Sequence, residues 1–567
     1  MNSRKLATAA LVILVLFACS RQPKDEAVQQ PAAEVAEAAG NAPATPMPVS
    51  PEGLRAHIRT LSSDEFAGRA PASPGGERTR QYIAAEFERL GLEPIGGSYF
   101  QDVPLVESNV VPEKSFFGLE GVEGLSTLSY KTDIVYWTKH VAEEVSFEGS
   151  DLVFVGYGIV APEYQWNDYE GVDVRGKTVV ILINDPGYAT GDPALFTGKA
   201  MTYYGRWTYK YEEAARQGAA AALIVHDTGP AAYGWNVVET SWAGPQIDLK
   251  RADDGASRVK VEAWISNDAA KKLLTRGNLS YEALLEAAKT RGFKAVPIPG
   301  VKASAKVTNS IRRSADANVV GVLRGAEAPN EYVLYTAHWD HLGDDPDAGG
   351  EDHIFNGAVD NATGVAAILE IAEKFATGPR PRRSVMFAAV TAEESGLLGS
   401  AYMAEVPPVP LKDIVGGVNI DGMLPTPRAK DVIVVGAGKS ELEDILKAKA
   451  EARGLYIRPD AEPEKGYFYR SDHISFAKKG VPMLYADSGF DLVDGGEAAG
   501  RALLDAYTAE RYHQPSDEFD ESWDLSAMAE TVDMLHEVGA ELAASDKWPN
   551  WRTGDEFRAA RDASRAQ

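Results

Sequence analysis

An α/β fold, with a mixed β-sheet flanked by helices and a β-rich insert, is predicted from three features of this 567-residue chain. From Ser304 onwards strand-like and helix-like segments alternate. Between about residues 146 and 295, short apolar runs rich in β-branched residues recur with little helix between them. Acidic residues and histidines, moreover, fall where the apolar runs of the second half stop, and α/β sheets place their sites at strand ends.

Taken in order, Leu54 to Leu61 and Glu77 to Leu90 carry helical apolar spacing, with Gly91 as a stop. Residues 100–145 alternate as strands do. DLVFVGYGIV (151–160), GKTVVILIND (176–185) and AAALIVHD (220–227) read as strands, with a short helix from Tyr211 to Gln217 before the third. A helical stretch from Asp268 to Ala288 leads out of this module. The second half reads as strands at 318–323, 332–337, 383–391, 414–421 and 431–436, with helices at 364–376, 396–404 and 440–453. Gly436-Ala-Gly-Lys-Ser440 imitates the end of a phosphate loop, but Ile433 stands where its first glycine is required.

Length allows two or three domains, and 44% hydrophobic with 25% charged residues is ordinary for a globular chain. A formal charge of −26 argues against nucleic acid as a partner, because phosphate binding needs a basic face. The single cysteine, Cys19, excludes an intramolecular disulfide. Arg4 and Lys5 precede an apolar run from Leu6 to Ala18, suited to a signal-peptide core. Leu16-Phe17-Ala18-Cys19 resembles the lipobox of bacterial lipoproteins. That resemblance implies lipidation at Cys19 and, with Ser20 following, a place at the outer membrane of the cell envelope. Residues 20–49, rich in Ala, Pro, Glu and Gln, read as a disordered tether. The expected organisation is a leader (1–18), a tether (19–49), a catalytic domain in two pieces (50–145 and 296–550), the insert (146–295) and a tail (551–567).

The strand Tyr332 to Ala337 ends at His338-Trp339-Asp340, and Asp360 opens the next helix. Glu393 and Glu394 follow the 384–390 strand, Asp421 the 415–420 strand, and His513 lies far downstream. Imidazole and carboxylate donors together suit Zn²⁺ ahead of Mn²⁺ or Co²⁺, and a bridging carboxylate would let two ions share the set. Singly each signal is weak, since an Asp after a strand is usually a turn or cap. His140 and His226 have no clustered carboxylates and read as structural; His341 and His353, in the loop beside the site, read as solvated loop histidines ahead of substrate contacts. Ser471, Asp472 and His473 form a triad on paper only, because adjacent residues cannot adopt its geometry.

AHWDHLG, GAVDNATG, TAEESGLLGS, VNIDGM, YRSDHISF and YHQPSDEFD resemble, in order and spacing, the motifs of the di-zinc aminopeptidase family. That family includes bacterial leucine aminopeptidases, plasma glutamate carboxypeptidase and the transferrin receptor branch. GYGIVAPEYQWNDYEGVDVRGKTVV and YEEAARQGAAAALIV resemble the protease-associated domain often inserted in these enzymes. The resemblance implies a zinc exopeptidase acting on peptides, in which His338 and Asp421 bind one zinc, Glu394 and His513 the other, and Asp360 bridges them. Glu393 is then the general base, and Asp340 holds the His338 ring through its other nitrogen. A cis peptide is implied at Asp360–Asn361. Some relatives place an oxyanion-stabilising tyrosine where this chain has Phe468, so Tyr467, Tyr469 and Arg470 are the candidates here. Two other functions fit the same scaffold: a receptor-like binding role, disfavoured by the intact ligand set, and glutaminyl cyclisation with one zinc. Side-chain specificity, and the choice among amino-, carboxy- and dipeptidase, are not encoded in these motifs.

Overall fold

The computed structural model describes residues 48–121, 124–346 and 350–566; the expected leader, Cys19 and nearly all of the tether lie outside them. The helix Pro51–Leu61 starts where Ser50 accepts from Gly53 N, and Pro74–Arg89 where Ser73 accepts from Gly76 N. Both have a proline in the first turn, where a missing N–H costs nothing. Gly91 follows the second helix at φ +71°, as its role of stop requires.

The fold is mixed α/β. Its central parallel strands, Arg383–Val390, Ala328–His338, Ile414–Asn419 and Met483–Ser488, lie side by side in that order. Antiparallel strands flank them: Val296–Leu323 on one side, paired also with Phe100–Val110, and Asp431–Val434 on the other. The parallel strands are buried on both faces, which explains their near-continuous apolar sequence. Val333, Tyr335 and Ala337 point into one core with the helices Thr363–Thr377 and Ser526–Ala544, whereas Tyr332 and Leu334 point into the core beneath Phe468, Phe476 and Trp551. Among the described residues no helix is long and apolar enough to cross a membrane.

A separate apolar cluster gathers residues between Val110 and Val307, reaching beyond 146–295 at both ends. Its parallel strands Glu144–Phe154, Thr178–Leu182, Ala221–Val225 and Val261–Ile265 pair in sequence order. The expected helix 268–288 is two helices, Asn267–Arg276 and Tyr281–Ala288, because Ser280 caps a new start by accepting from Ala283 N. The strand expected at 318–323 is only the end of a 28-residue strand, Val296–Leu323. Its first half pairs with 144–154 and 116–120, its second with 100–110 and 385–389.

Candidate metal centre

Parallel strands bring their C-terminal ends to one edge, and there the dispersed motifs meet. His338 is the last residue of its strand, Glu393 and Glu394 follow the strand ending at Val390, and Asp421 follows the one ending at Asn419. Asp360 arrives on an irregular turn before the Thr363–Thr377 helix. His513 comes from a loop after the helix Gly496–Glu510.

His338 Nε2 lies 3.0 Å from Asp421 Oδ1 and 3.3 Å from Asp360 Oδ1. His513 Nε2 lies 3.2 Å from Asp360 Oδ2 and 3.3 Å from Glu394 Oε2. Asp360 thus faces one imidazole with each oxygen. Two groups of side chains, His338–Asp360–Asp421 and His341–Asp360–Glu394, each offer one ligand atom per residue within 4.8 Å of one another and could hold a metal ion; the second contains His341 in the place where His513 was expected. Nitrogen and carboxylate oxygen in this mix fit zinc.

The electrostatics agree with a cation-binding site. Burial opposes the charged form of His338, but Asp421, Glu393 and Asp360 outweigh it and raise its pKa well above the ordinary value. Burial likewise works against charged His513, and Asp360 and Glu394 lift it to about 10. Burial pushes the Glu393 carboxyl well above its usual range; His338 opposes this while Asp421, Glu394 and Asp472 reinforce it. A carboxyl so placed is suited to carry a proton.

A supporting shell fixes this geometry. The Asp360–Asn361 peptide is cis, matching the expectation. Asn361 Oδ1 accepts from Gly364 N and Gly422 N, tying the helix start to the segment after Asp421. Asp517 accepts from Val359 N and Asp360 N, and Tyr485 OH donates to Asp421 O. Ser471 Oγ donates to Asp421 Oδ2 and accepts from Asn419 Nδ2, a support role unconnected with a triad. Tyr512 stacks on His513 with centroids 4.0 Å apart. Asp517 and Ser471 sit inside motifs visible in the sequence, yet nothing local indicates which atoms they brace. Tyr485, and Arg69, which donates to the main-chain oxygens of Trp339 and Gly357, lie outside those motifs and left no signal.

Four expectations change. The nitrogen of His338 away from the carboxylates meets the main-chain O of Asp340 at 3.1 Å, whereas the Asp340 carboxylate is 3.8 Å away. That carboxylate accepts instead from Glu393 N and Glu394 N, at 3.0 and 3.4 Å, so Asp340 positions the glutamate pair. Tyr469 is buried and its OH donates to Glu556 (2.7 Å), within a cluster built on Lys439, which removes it as an oxyanion donor. Residue 341 is no solvated loop histidine: it is 1% exposed, with Nδ1 2.7 Å from Glu394 Oε1. The strand ending at 436 stops at Val434. Arg470 is exposed beside Ser471, its guanidinium 5.5 Å from the Tyr467 ring centroid. His353 is solvated, paired with Asp344.

These two groups of histidines and carboxylates, at one edge of a mixed sheet, mark an α/β protein with side chains that could hold metal ions. The segment that carries it, residues 318–538, matches the family model described as Peptidase family M28. The mouse (Mus musculus) protein Aminopeptidase NAALADL1 is 36% identical over 111 residues, 19% of this chain and 13% of that protein. A probable zinc metalloprotease of Pyrenophora teres f. teres (strain 0-1) is 36% identical over 114 residues, 20% of this chain and 23% of that protein. The matches span under a third of these curated relatives' length. Among solved structures, an aminopeptidase from Aneurinibacillus sp. strain AM-1 superposes with a TM-score of 0.47 at 21% identity, covering 88% of this chain and 95% of that one.

Proposed function

We propose that this protein is a zinc-dependent exopeptidase, an aminopeptidase that hydrolyses the N-terminal bond of peptides. The observation that carries the reading is the convergence of His338, Asp360, Glu394, Asp421 and His513 beside half-buried Glu393. In this reading His338 and Asp421 hold one zinc ion, Glu394 and His513 the other, and Asp360 both. Bound zinc would acidify water and polarise the scissile carbonyl. Glu393 accepts the proton of the attacking water and delivers it to the leaving amine. Asp340 keeps Glu393 and Glu394 in register through their main-chain N–H groups. Arg470 and Tyr467, at the surface beside Ser471, are the remaining candidates for contact with substrate. The insert around 146–295 acts as a protease-associated domain that shapes access. Lipidated Cys19 would tether the enzyme to the cell envelope, and a Cys19→Ala variant that still takes up labelled palmitate would refute that anchor.

The test is hydrolysis of aminoacyl and N-blocked peptides by the zinc-loaded protein, by the chelated protein and by Glu393→Gln. Cleavage of free N-termini only, lost on chelation and lowered by about 10²–10⁴ in Glu393→Gln, is expected. Full metal occupancy without cleavage of any peptide would overturn the reading and direct the assay to N-terminal glutamine cyclisation.

A further inference from the structure

His341 lies three residues beyond His338, in the loop after the strand, yet its ring is enclosed. On one side, Nδ1 meets Glu394 Oε1 at 2.7 Å. Taken as a hydrogen bond, this contact places the hydrogen on Nδ1, because a carboxylate only accepts; the rival is that His341 shares an ion with Glu394 and Asp360. On the other side stands Gly357, at φ +53°, where an added Cβ would come within 2.6 Å of His341 Cγ and Cδ2. Arg69 closes the cage by donating to Gly357 O and Trp339 O, on either side of the loop that carries the ring. The ring therefore has one place to sit.

The other oxygen of Glu394, Oε2, is the one facing His513 Nε2. Among the described residues, His341 and His513 are the only side chains that donate to the Glu394 carboxylate. A metal ion on His513 would take up the lone pair of Nε2 and end its role as donor. His341 would then be the one side-chain donor left, on the oxygen pointing away from His513. Ligating carboxylates need such outer partners to present a single oxygen in a fixed direction.

We propose that His341 is a positioning residue for the second metal site: it occupies Oε1 of Glu394 and so leaves Oε2 as the single metal-binding oxygen. The inference rests on the two-ion reading above. It makes the two sites unequal, since the first, at His338 and Asp421, has no contact with His341 among the hydrogen bonds described.

The experiment is stepwise zinc titration of the chelated full chain, with His341→Ala and His341→Asn beside the wild type. Asparagine carries an amide nitrogen the same number of bonds from Cβ as Nδ1, so it restores the donor while removing the imidazole. Expected are two ions in the wild type and a second-ion affinity about 10–100-fold weaker in His341→Ala. The first-ion affinity should be unchanged, which also reports correct folding, and His341→Asn should recover most of the second-ion loss. Equal affinities for both ions in His341→Ala and wild type would overturn the inference. So would His341→Asn behaving as His341→Ala, since that makes the imidazole itself a ligand. A wild type that takes up one ion or none would instead overturn the two-ion reading beneath it.

Discussion

Removing the Arg69 guanidinium should cost stability and loosen the metal centre together. This side chain is 1% exposed, and its hydrogen-bond partners among the described residues are all main-chain oxygens. It donates to the main-chain oxygens of Leu61 (2.8 Å), Trp339 (3.0 Å), Asn356 and Gly357 (2.8 Å), with Asp360 O at 3.4 Å. Burial lowers its pKa to about 10, against the pull of Asp360, Asp517 and Asp340, so it remains charged at neutral pH. Arg69→Met keeps much of the apolar stem but strands those carbonyls. At about 1–3 kcal/mol for each buried acceptor left without a donor, three strictly orphaned oxygens would cost roughly 3–9 kcal/mol. Relief from burying a charge and water entry bring a net loss of about 3–5 kcal/mol. Domains are stable by only about 5–15 kcal/mol, so the loss is a large fraction of the whole. Denaturant unfolding followed by tryptophan fluorescence, with zinc content measured on the same samples, is the assay. An Arg69→Met protein with unchanged midpoint and full zinc content would refute the view that this arginine holds the loops of residues 339–341 and 356–360 together.

Gly357→Ala should be as damaging by another route: its Cβ would lie 2.2 Å from Asp360 O in a left-handed backbone, and a loss of about 2–4 kcal/mol with reduced zinc uptake is expected; an alanine variant as stable as wild type would count against the geometry. Zinc loading should release protons, one each from His338 and His513, whose pKa values stand well above 6.5 without metal; calorimetry in buffers of different ionisation enthalpy reads this number, and zero release would contradict it. The same shift gives the chelated protein stability that is fully present below about pH 6.5 and lost as pH rises through about 10, a loss the zinc-loaded form should not show in thermal melts. Buried His473 and His536, lowered to about 3 and about 4 by desolvation, act in the opposite direction. Their unfolded forms take up protons first, so stability falls as pH drops from about 6.5 towards these values, and His536→Gln should flatten part of that slope.

The strands that present the ligands were legible because each is buried on both faces and so reads as an unbroken apolar run; a carboxylate or histidine after such a run stands out. The depth of His341 was not legible, since it depends on an arginine 272 positions earlier in the sequence and on a glycine that leaves room for the ring. Position 341 looks like any loop histidine until those are in place. Tyr469 misled for the same reason: its partner Glu556 is 87 residues away. The long strand hid because residues 309–316 are mostly Asn, Ser, Arg and Asp, with Ile311 and Ala315 the only apolar side chains among them, a pattern with little apolar signal. Asp340 was expected to hold the His338 ring with its carboxylate, but which of its oxygens meets which neighbour depends on backbone geometry that residue type does not encode.

The continuous strand Val296–Leu323 also leads us to expect an order of folding. Phe100–Val110 has as its register partners Val319 back to Asn309, so this pairing must close a loop of about two hundred residues, an entropic cost that slows non-local pairing. The first half of the long strand, however, belongs to the cluster built by the intervening residues. Once that cluster has condensed, the loop is already shortened, and the second half of the strand emerges from it as a formed edge against which residues 100–110 and then 385–389 can zip. On the ribosome the insert would then serve as a jig for the sheet. A chain released after residue 323 would display the bare edge on which the 383–390 strand otherwise lands, the kind of surface that recruits chaperones or other strands.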